Sequence, residues 1–366
     1  MNPMNSSTDK YAVVPATPLE NLVCTIFQAS GSSGDEAARI AQYLVKANLT
    51  GHDSHGVVRV PRYVQMVRDG LMQADRTARL VTDTPAMAVL DGEFGFGQTI
   101  GPQAVQAGVS RCKTLGLSAV ALRNTGHLGR IADWAEMAAG DGLVSVHFVN
   151  AAGSMLVAPF GSVERRFSTA PFCVGVPRAN AAPLILDFAT SLVAEGKVMV
   201  ASQGGKAIPG DALIGPDGQT SDDTRLLYGD FPTTGKRDIR SGTGAIRAFG
   251  EHKGSGLALM CELLGGALTG NGCASPDKCF SNGMFSLYIN PARIDTGDFF
   301  SQEMNRYIAF VKAAKPARAG DETLLPGEPE ARARAHRLAN GISLPNETWG
   351  LIKQTAQSLG IAPSPF

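Results

Sequence analysis

"GPQAVQAGVSRCKTLGLSAVALRN" (101–124) changes character at its middle. Residues 101–116 carry a helical pattern that stops at a glycine, and 117–124 are a short apolar run bounded by Gly and Asn, the pattern of a buried strand. The same alternation continues on both sides. "AMAVLDG" (86–92), "LVSVHFVN" (143–150), "PFCVGVPR" (171–178) and "APLILDFA" (182–189) read as strands, and "RIADWAEMAAGDG" (130–142) as a helix. Strands interleaved with helices predict a layered α/β domain. "LDGEFGFGQTIG" (90–101) approaches the dinucleotide fingerprint, but one residue too many precedes its last glycine. No acidic residue closes the strand that follows, so the segment is read as a glycine-rich turn with close helix packing rather than a Rossmann loop.

The two ends of the chain look helical instead. "SGDE" (33–36) offers a capping box of Ser33 and Glu36, after which Ala37, Ile40, Leu44 and Ala47 follow helical spacing up to Gly51. "PRYVQMVRDG" (61–70) reads as a helix with Pro61 in its first turn. "EPEARARAHRLA" (328–339) and "PNETWGLIKQTAQSLGI" (345–361) follow suit, the latter with Asn346 as its expected cap. A polar, Gly- and Asp-rich stretch, 215–244, is expected to be a long loop or flap.

Composition narrows the function. The 366 residues carry 33 basic and 33 acidic side chains, which disfavours a nucleic-acid or anionic-membrane partner. At 44% hydrophobic and 18% charged, the chain suits a compact fold of two or three lobes. No apolar run reaches the roughly 20 residues of a membrane helix, and the start lacks the pattern of a secretory signal. "GLALMCELLGGALTG" (256–270) is short and contains Glu262. Six cysteines are too few for a disulfide scaffold, which suits a reducing cytoplasm. Cys273 and Cys279 have no partners at zinc spacing, so no metal is expected.

Several constellations could carry chemistry. "GHDSHGVVRVPRY" (51–63) gathers two histidines, two arginines, an aspartate and a serine where one helix ends and the next begins. One turn separates His55 from Arg59, so a guanidinium could grip a carboxylate while the imidazole exchanges a proton with the neighbouring oxygen, Ser54 orienting the ring. A solvated surface turn would use the same residues. "RNTGHLGRIADW" (123–134) sets His127 between glycines ahead of a helix, a natural anion site. Ser168 and Thr169 offer hydroxyls before a proline. Asp187 could bind a ribose hydroxyl or cap the segment after it. His252–Lys253 open an apolar helix without Walker spacing, and the Pro326–Gly327 turn presents Glu328.

Taken in order, "HDSHGVVRVPRY", "NTGHLG", "APFGSVERRFSTAP", "LDFATS...GKV", "HKGSGLALMCELLGGALTG", "LPGEPE" and "GISLPNETW" resemble the malate/L-lactate dehydrogenase family over about residues 15–362. That family is distinct from the Rossmann lactate and malate dehydrogenases. It includes ureidoglycolate, sulfolactate and diketogulonate oxidoreductases and the piperideine/pyrroline carboxylate reductases. The resemblance implies a non-Rossmann α/β fold, bound NAD or NADP, a homodimer, and hydride transfer to or from a small 2-hydroxy/2-oxo acid. By position, His55 would exchange the proton with Ser54 as relay, although some members give that role to the histidine matching His127. Arg59 would bind the substrate carboxylate and Thr169 would touch substrate. His127, Leu128, Gly129, Asp187, Phe188, Ala189, His252, Lys253, Pro326, Gly327 and Glu328 would line the cofactor. The implied layout is a helical lobe of 10–80 joined by 310–366, a cofactor domain of 81–150 and 200–309, and a smaller inserted lobe of 151–199.

Three departures stand out. Members commonly have GTNP where this chain has Ser168-Thr169-Ala170-Pro171. Cyclic-imine reductases carry an aspartate near the position of Lys197, which favours a 2-hydroxy acid here over the alternative imine substrate. The 215–248 segment is also longer and more charged than usual.

Overall fold

The computed structural model describes residues 10–231, 238, 239 and 241–362. Residues 1–9, read as free of a secretory signal, lie outside the described residues, as do 232–237 and 240 of the expected flap.

The chain enters through β1 (Tyr11–Val14) into α1 (Ala16–Ala29), α2 (Gly34–Leu49) and α3 (Val60–Arg68). The Ser33 hydroxyl accepts from the Glu36 N–H and starts α2, whose Ala37, Ile40, Ala41 and Leu44 form a fully buried stripe. Each Leu or Ile buried in this way contributes about 1.5–3 kcal/mol. The expected capping box closes on one side only. The Glu36 carboxylate instead accepts from Ser32, Thr99 and the Asp75 N–H, while the Ser33 N–H donates to Asp75. Tertiary partners outcompete the local one.

Next come β2 (Arg79–Asp83), β3 (Met87–Asp91), α4 (Gly97–Leu115), β4 (Leu117–Thr125), α5 (Ala132–Gly140) and β5 (Val144–Ala152). α4 starts ahead of the Gly101–Pro102 start that its sequence suggests. Phe96, Gly97 and Ile100 are buried, so the glycine segment is already inside the packed layer when the helix begins. A Cβ on Gly97 would lie 2.2 Å from the His127 carbonyl oxygen, and one on Gly101 would lie 2.6 Å from the Trp134 ring. The glycines of 90–101 serve close packing, as expected.

The chain then runs through β6 (Val157–Ala158), β7 (Pro171–Val176), β8 (Leu184–Ala189), α6 (Glu195–Ser202), β9 (Leu213–Ile214), β10 (Thr220–Ser221), α7 (Arg225–Tyr228), β11 (Ala245–Arg247), α8 (His252–Cys261), a π-helical segment (Glu262–Leu268) and β12 (Ser281–Ile289). A seven-stranded sheet has the order β2-β3-β4-β12-β5-β7-β8. Only β3 and β4 pair in parallel within it; the other neighbours are antiparallel. A mixed sheet of this kind is not a Rossmann sheet, which requires parallel crossovers. Asp187, on β8, accepts from the Ala132 N–H at 2.8 Å and so caps α5 across the sheet, not the segment that follows it in sequence. α6 begins only at Glu195, after an Ala194 N-cap that makes no side-chain bond.

Of residues 151–199, β7 and β8 complete the large sheet. β6 and α6 join a separate core built on Val157, Val198, Leu213, Leu227 and Ile246, beside a four-stranded sheet β10-β9-β11-β6. The polar 215–244 stretch contains β10 and α7 and is tied down by Arg165. That guanidinium donates to the carbonyls of Gly244 (2.6 Å), Gly242 (2.8 Å) and Leu227 (3.1 Å).

The chain ends with α9 (Phe299–Lys312), α10 (Glu328–Asn340), β13 (Ile342–Pro345) and α11 (Asn346–Ser358). β13 pairs antiparallel with β1, and Trp349 and Ile352 of α11 return to the core of α1–α3. The two termini thus build one helical lobe, as expected. Pro345, not Asn346, occupies the N-cap of α11, because β13 runs straight into the helix and leaves no separate capping residue.

His147 lies at the centre of the large sheet with no solvent exposure, its two ring nitrogens bonded to the hydroxyls of Ser286 (2.8 Å) and Ser145 (3.0 Å). Burial pushes this imidazole down to about 3. An unfolded chain takes up the proton below a pH of about 6.5, so the stability held by the neutral ring is complete above that pH and is lost as pH falls toward 3. We expect the melting temperature of a His147→Gln variant to fall less steeply across that window than that of the parent. Parallel melting curves against pH would refute this.

Candidate active site

The exit of α2 is stapled by Asn48. Its side chain donates to Asp53 (2.6 Å) and accepts from the Val57 N–H (2.8 Å), and a Cβ on Gly56 would lie 2.1 Å from its oxygen. Two short 3-10 turns, Asp53–His55 and Val57–Arg59, then lead into α3. The ionisable groups of 51–63 divide between two faces. His52 and Asp53 turn outward to α10, where they meet Glu330 (3.4 Å) and Arg337 (2.9 Å). His55, Arg59, Arg62 and Tyr63 face a pocket.

Arg59, Arg62, Tyr63 and Met66 recur at helical spacing and make one wall of that pocket. Opposite lie His127 and Gly129 from the β4–α5 loop, Phe280 and Asn282 at the start of β12, and Thr169 ahead of β7. Glu195 closes it from α6, and Ile239 comes from the polar stretch.

Arg59 is 9% exposed, so its charge requires partners inside the fold. Its Nε donates to the Ser54 carbonyl at 2.6 Å, and one terminal nitrogen meets the Glu195 carboxylate at 3.3 Å. Tyr228 donates to the other Glu195 oxygen at 2.9 Å. These bonds orient the guanidinium. Arg62 lies over the Phe280 ring at 5.6 Å.

The His55 and His127 rings stack nearly parallel, 10° apart in tilt with centroids 5.4 Å apart. The Ser54 hydroxyl is 3.0 Å from His55 Nδ1, and the Tyr63 hydroxyl is 2.5 Å from His127 Nδ1. Burial, then Arg59, hold both imidazoles well below the usual histidine range. The pocket therefore combines fixed guanidinium charge with two neutral rings, which suits gripping a carboxylate and exchanging a proton beside it.

Beneath the site, the Glu262 carboxylate accepts from Ser168 Oγ (2.7 Å), Asn150 (3.1 Å) and the Ala274 N–H (2.9 Å). It lies where α8 passes into the π-helical segment, and such bulges are frequent at functional sites. Asn282 donates to the Asn150 carbonyl and accepts from the Leu128 N–H, both at 2.8 Å, which pins the His127 loop.

Of the residues singled out in the sequence, His55, Arg59, His127, Gly129 and Thr169 line the pocket, with Ser54 behind His55 and Leu128 buried beneath it. The remainder lie along β8 and beyond. Phe188 packs edge-on to Phe249 (5.3 Å) ahead of α8, where His252 and Lys253 are exposed and His252 meets Phe160. The Pro326 carbonyl accepts from the Ile185 N–H (3.4 Å), so the 326–328 turn sits against the start of β8, the strand that carries Asp187 and Ala189. The Glu328 carboxylate is bonded to Lys312 and the Leu325 N–H. Sequence reading missed Arg62, Tyr63, Glu195, Phe280 and Asn282. The first two were within reach, since they follow Arg59 on a helix already expected; nothing local marks the others.

A match to the malate/L-lactate dehydrogenase family runs over residues 14–353. The chain belongs to this family. Hydroxycarboxylate dehydrogenase B of Escherichia coli K12 is 38% identical over 354 residues, 94% of each chain. The L-lactate dehydrogenase of Cupriavidus necator is 33% identical over 356 residues, 95% of this chain and 98% of that one. The solved sulfolactate dehydrogenase of Methanocaldococcus jannaschii superposes with a TM-score of 0.80 at 27% identity, covering 96% of this chain and 98% of its own. The protein is an oxidoreductase acting on the CH–OH group of 2-hydroxy acids.

Because the backbone at Gly97 touches the His127 carbonyl, the dehydrogenase should not accept a methyl group there. Gly97→Ala is expected to lower kcat by about tenfold or more through displacement of His127, with overpacking that costs about 1–3 kcal/mol. Steady-state kinetics and melting of the purified variant check this, and wild-type values for both would contradict it.

Proposed function

We propose that this enzyme moves hydride reversibly between a nicotinamide dinucleotide, NAD or NADP, and C2 of a small 2-hydroxy or 2-oxo acid held against Arg59. The observation that carries the reading is a buried, fully oriented guanidinium in one cleft with two stacked neutral imidazoles. Arg59 keeps donors free for a carboxylate after bonding Ser54 and Glu195, and a carboxylate gripped there puts the C2 oxygen beside His55 and His127. One imidazole gives up or takes the proton on that oxygen, and Ser54 orients His55. Thr169 lines the substrate end.

The dinucleotide, when bound, supplies or accepts the hydride. The residues that would hold it fit that task. Gly129, at φ +72°, keeps bare backbone beside the pocket. The Pro326–Glu328 turn touches the start of β8, Phe188 and Ala189 end that strand, and His252 and Lys253 open α8 after Phe249, which meets Phe188. Lys253 near the amino end of α8 suits a phosphate. Asp187 and Glu328 have their carboxylates engaged within the protein and would contribute shape and backbone.

Two further points belong to the same reading. Phe299, Tyr307 and Phe310 of α9 are exposed by 72%, 57% and 68%, an apolar surface suited to a second copy in a homodimer. Six free thiols suit a reducing cytoplasm. No helix of the described residues is long and apolar enough to cross a membrane.

The test is a panel of 2-oxo acids together with piperideine-2-carboxylate, each assayed with NADH and with NADPH by loss of the reduced-nicotinamide absorbance. Turnover of 2-oxo acids with at least one cofactor is expected. No turnover, or turnover of the cyclic imine alone, would overturn the reading. Arg59→Gln should raise KM for the acid by about 10–100-fold, the weight of hydrogen bonds to a charged group. An unchanged KM would remove Arg59 from substrate binding.

A further inference from the structure

We propose that Tyr63 sets the tautomer of His127, so that the imidazole presents its Nε2 hydrogen to the pocket as the proton donor to the substrate oxygen. This rests on the reaction proposed above and assigns a positioning residue to it.

Tyr63 is 1% exposed, and its ring is held against Phe27 and Phe96, with centroids 6.3 Å and 6.1 Å away. Its hydroxyl lies 2.5 Å from His127 Nδ1, the one acceptor within hydrogen-bond reach of it among the described residues. Which atom owns the hydrogen follows from Gln98. The Gln98 Nε2 lies 3.5 Å from the His127 carbonyl, which can only accept, and this favours the orientation with the NH2 toward that carbonyl. The same NH2 group faces the Tyr63 oxygen at 3.4 Å, leaving Gln98 Oε1 buried without a partner. With its oxygen accepting from Gln98, the phenol directs its own proton to Nδ1. Nδ1 is then the acceptor, and a neutral His127 carries its hydrogen on Nε2.

The ring is neutral on physical grounds. The groups facing it are Arg59 from the turn before α3, Arg62 of α3, the His55 ring stacked on it, and the Tyr63 hydroxyl, with the Phe280 ring across the pocket; burial first, then Arg59, His55 and Arg62, disfavour the imidazolium. Burial also pushes the Tyr63 phenol up to about 12, so its proton stays in place at rest. His55 lacks an equivalent lock, since its Nδ1 meets a serine hydroxyl that can either donate or accept.

In the reducing direction, hydride arrives at C2 and the carbonyl π bond becomes a lone pair on oxygen. That oxygen takes the Nε2 proton, and Nδ1 takes the phenol proton. The negative charge comes to rest on Tyr63, beside the Gln98 amide and the Arg59 and Arg62 guanidiniums, until water returns the proton. Oxidation runs the same steps backwards.

The experiment uses the full chain and its Tyr63→Phe variant, which keeps the ring packing and removes the hydroxyl. Nitrogen NMR of histidine-labelled protein reads the tautomer directly and needs no turnover. The parent is expected to show His127 with hydrogen on Nε2, and the variant a mixture of both forms. Kinetics should show kcat lower by about 10–100-fold, KM for the 2-oxo acid within about twofold, and a displaced pH profile, the signature of a lost orienting bond rather than lost binding. A parent His127 protonated on Nδ1 would overturn the proposal, and that result does not depend on how the variant folds. An unchanged tautomer, kcat and pH profile in Tyr63→Phe would overturn it equally. Should the tautomer hold while no 2-oxo acid is turned over, the proton-donor role would fall with the proposed reaction, and the two failures are thereby told apart.

Discussion

A guanidinium with a tenth of its surface or less in water cannot be left to find its own partners, and the site is arranged around holding Arg59. Its two internal bonds reach in different directions. The Ser54 carbonyl belongs to the turn between α2 and α3, and the Glu195 carboxylate to α6, which packs into another core. One side chain thereby joins the helical lobe to the small four-stranded region, and the pocket lies between them and the His127 loop, Thr169, Phe280 and Asn282. Removing either partner would leave a buried charge undercompensated, which is why the geometry around Arg59 is so closely specified.

Close backbone approach is the second constraint. Gly97 lies against the His127 carbonyl, and a Cβ on Gly196 would come within 2.4 Å of Ser54 Cβ. Both histidines are therefore positioned from behind by glycine contacts as well as by hydrogen bonds. The first residues of α6 lie directly on the Ser54 turn, and the carboxylate found there, Glu195, is committed to Arg59 and Tyr228. Ser54 has no carboxylate partner of its own among the described residues, in keeping with a lysine at position 197.

Burial does the remaining work. It keeps His55, His127 and His147 neutral, but to different ends. In the sheet, His147 is bonded to two serine hydroxyls and does not line the pocket. In the pocket, neutral rings beside two arginines leave the positive charge to the guanidiniums, which can then attract an anionic substrate while the imidazoles remain free to exchange a proton.

The alternation of helix and strand between residues 86 and 189 and the helical ends were legible in the chain, because period and spacing depend on local geometry alone. So were the glycines of 90–101 as packing rather than phosphate-binding residues. The antiparallel partners of β12, the destination of the Asp187 and Glu36 carboxylates, and the presence of Glu195, Phe280 and Asn282 around the site were decided only in three dimensions. A carboxylate on a strand or a helix start bonds to whichever donor the fold brings nearest; for Asp187 that donor is Ala132, and for Glu36 two of the three are Asp75 and Thr99, tens of positions away along the chain, where no local pattern can register them.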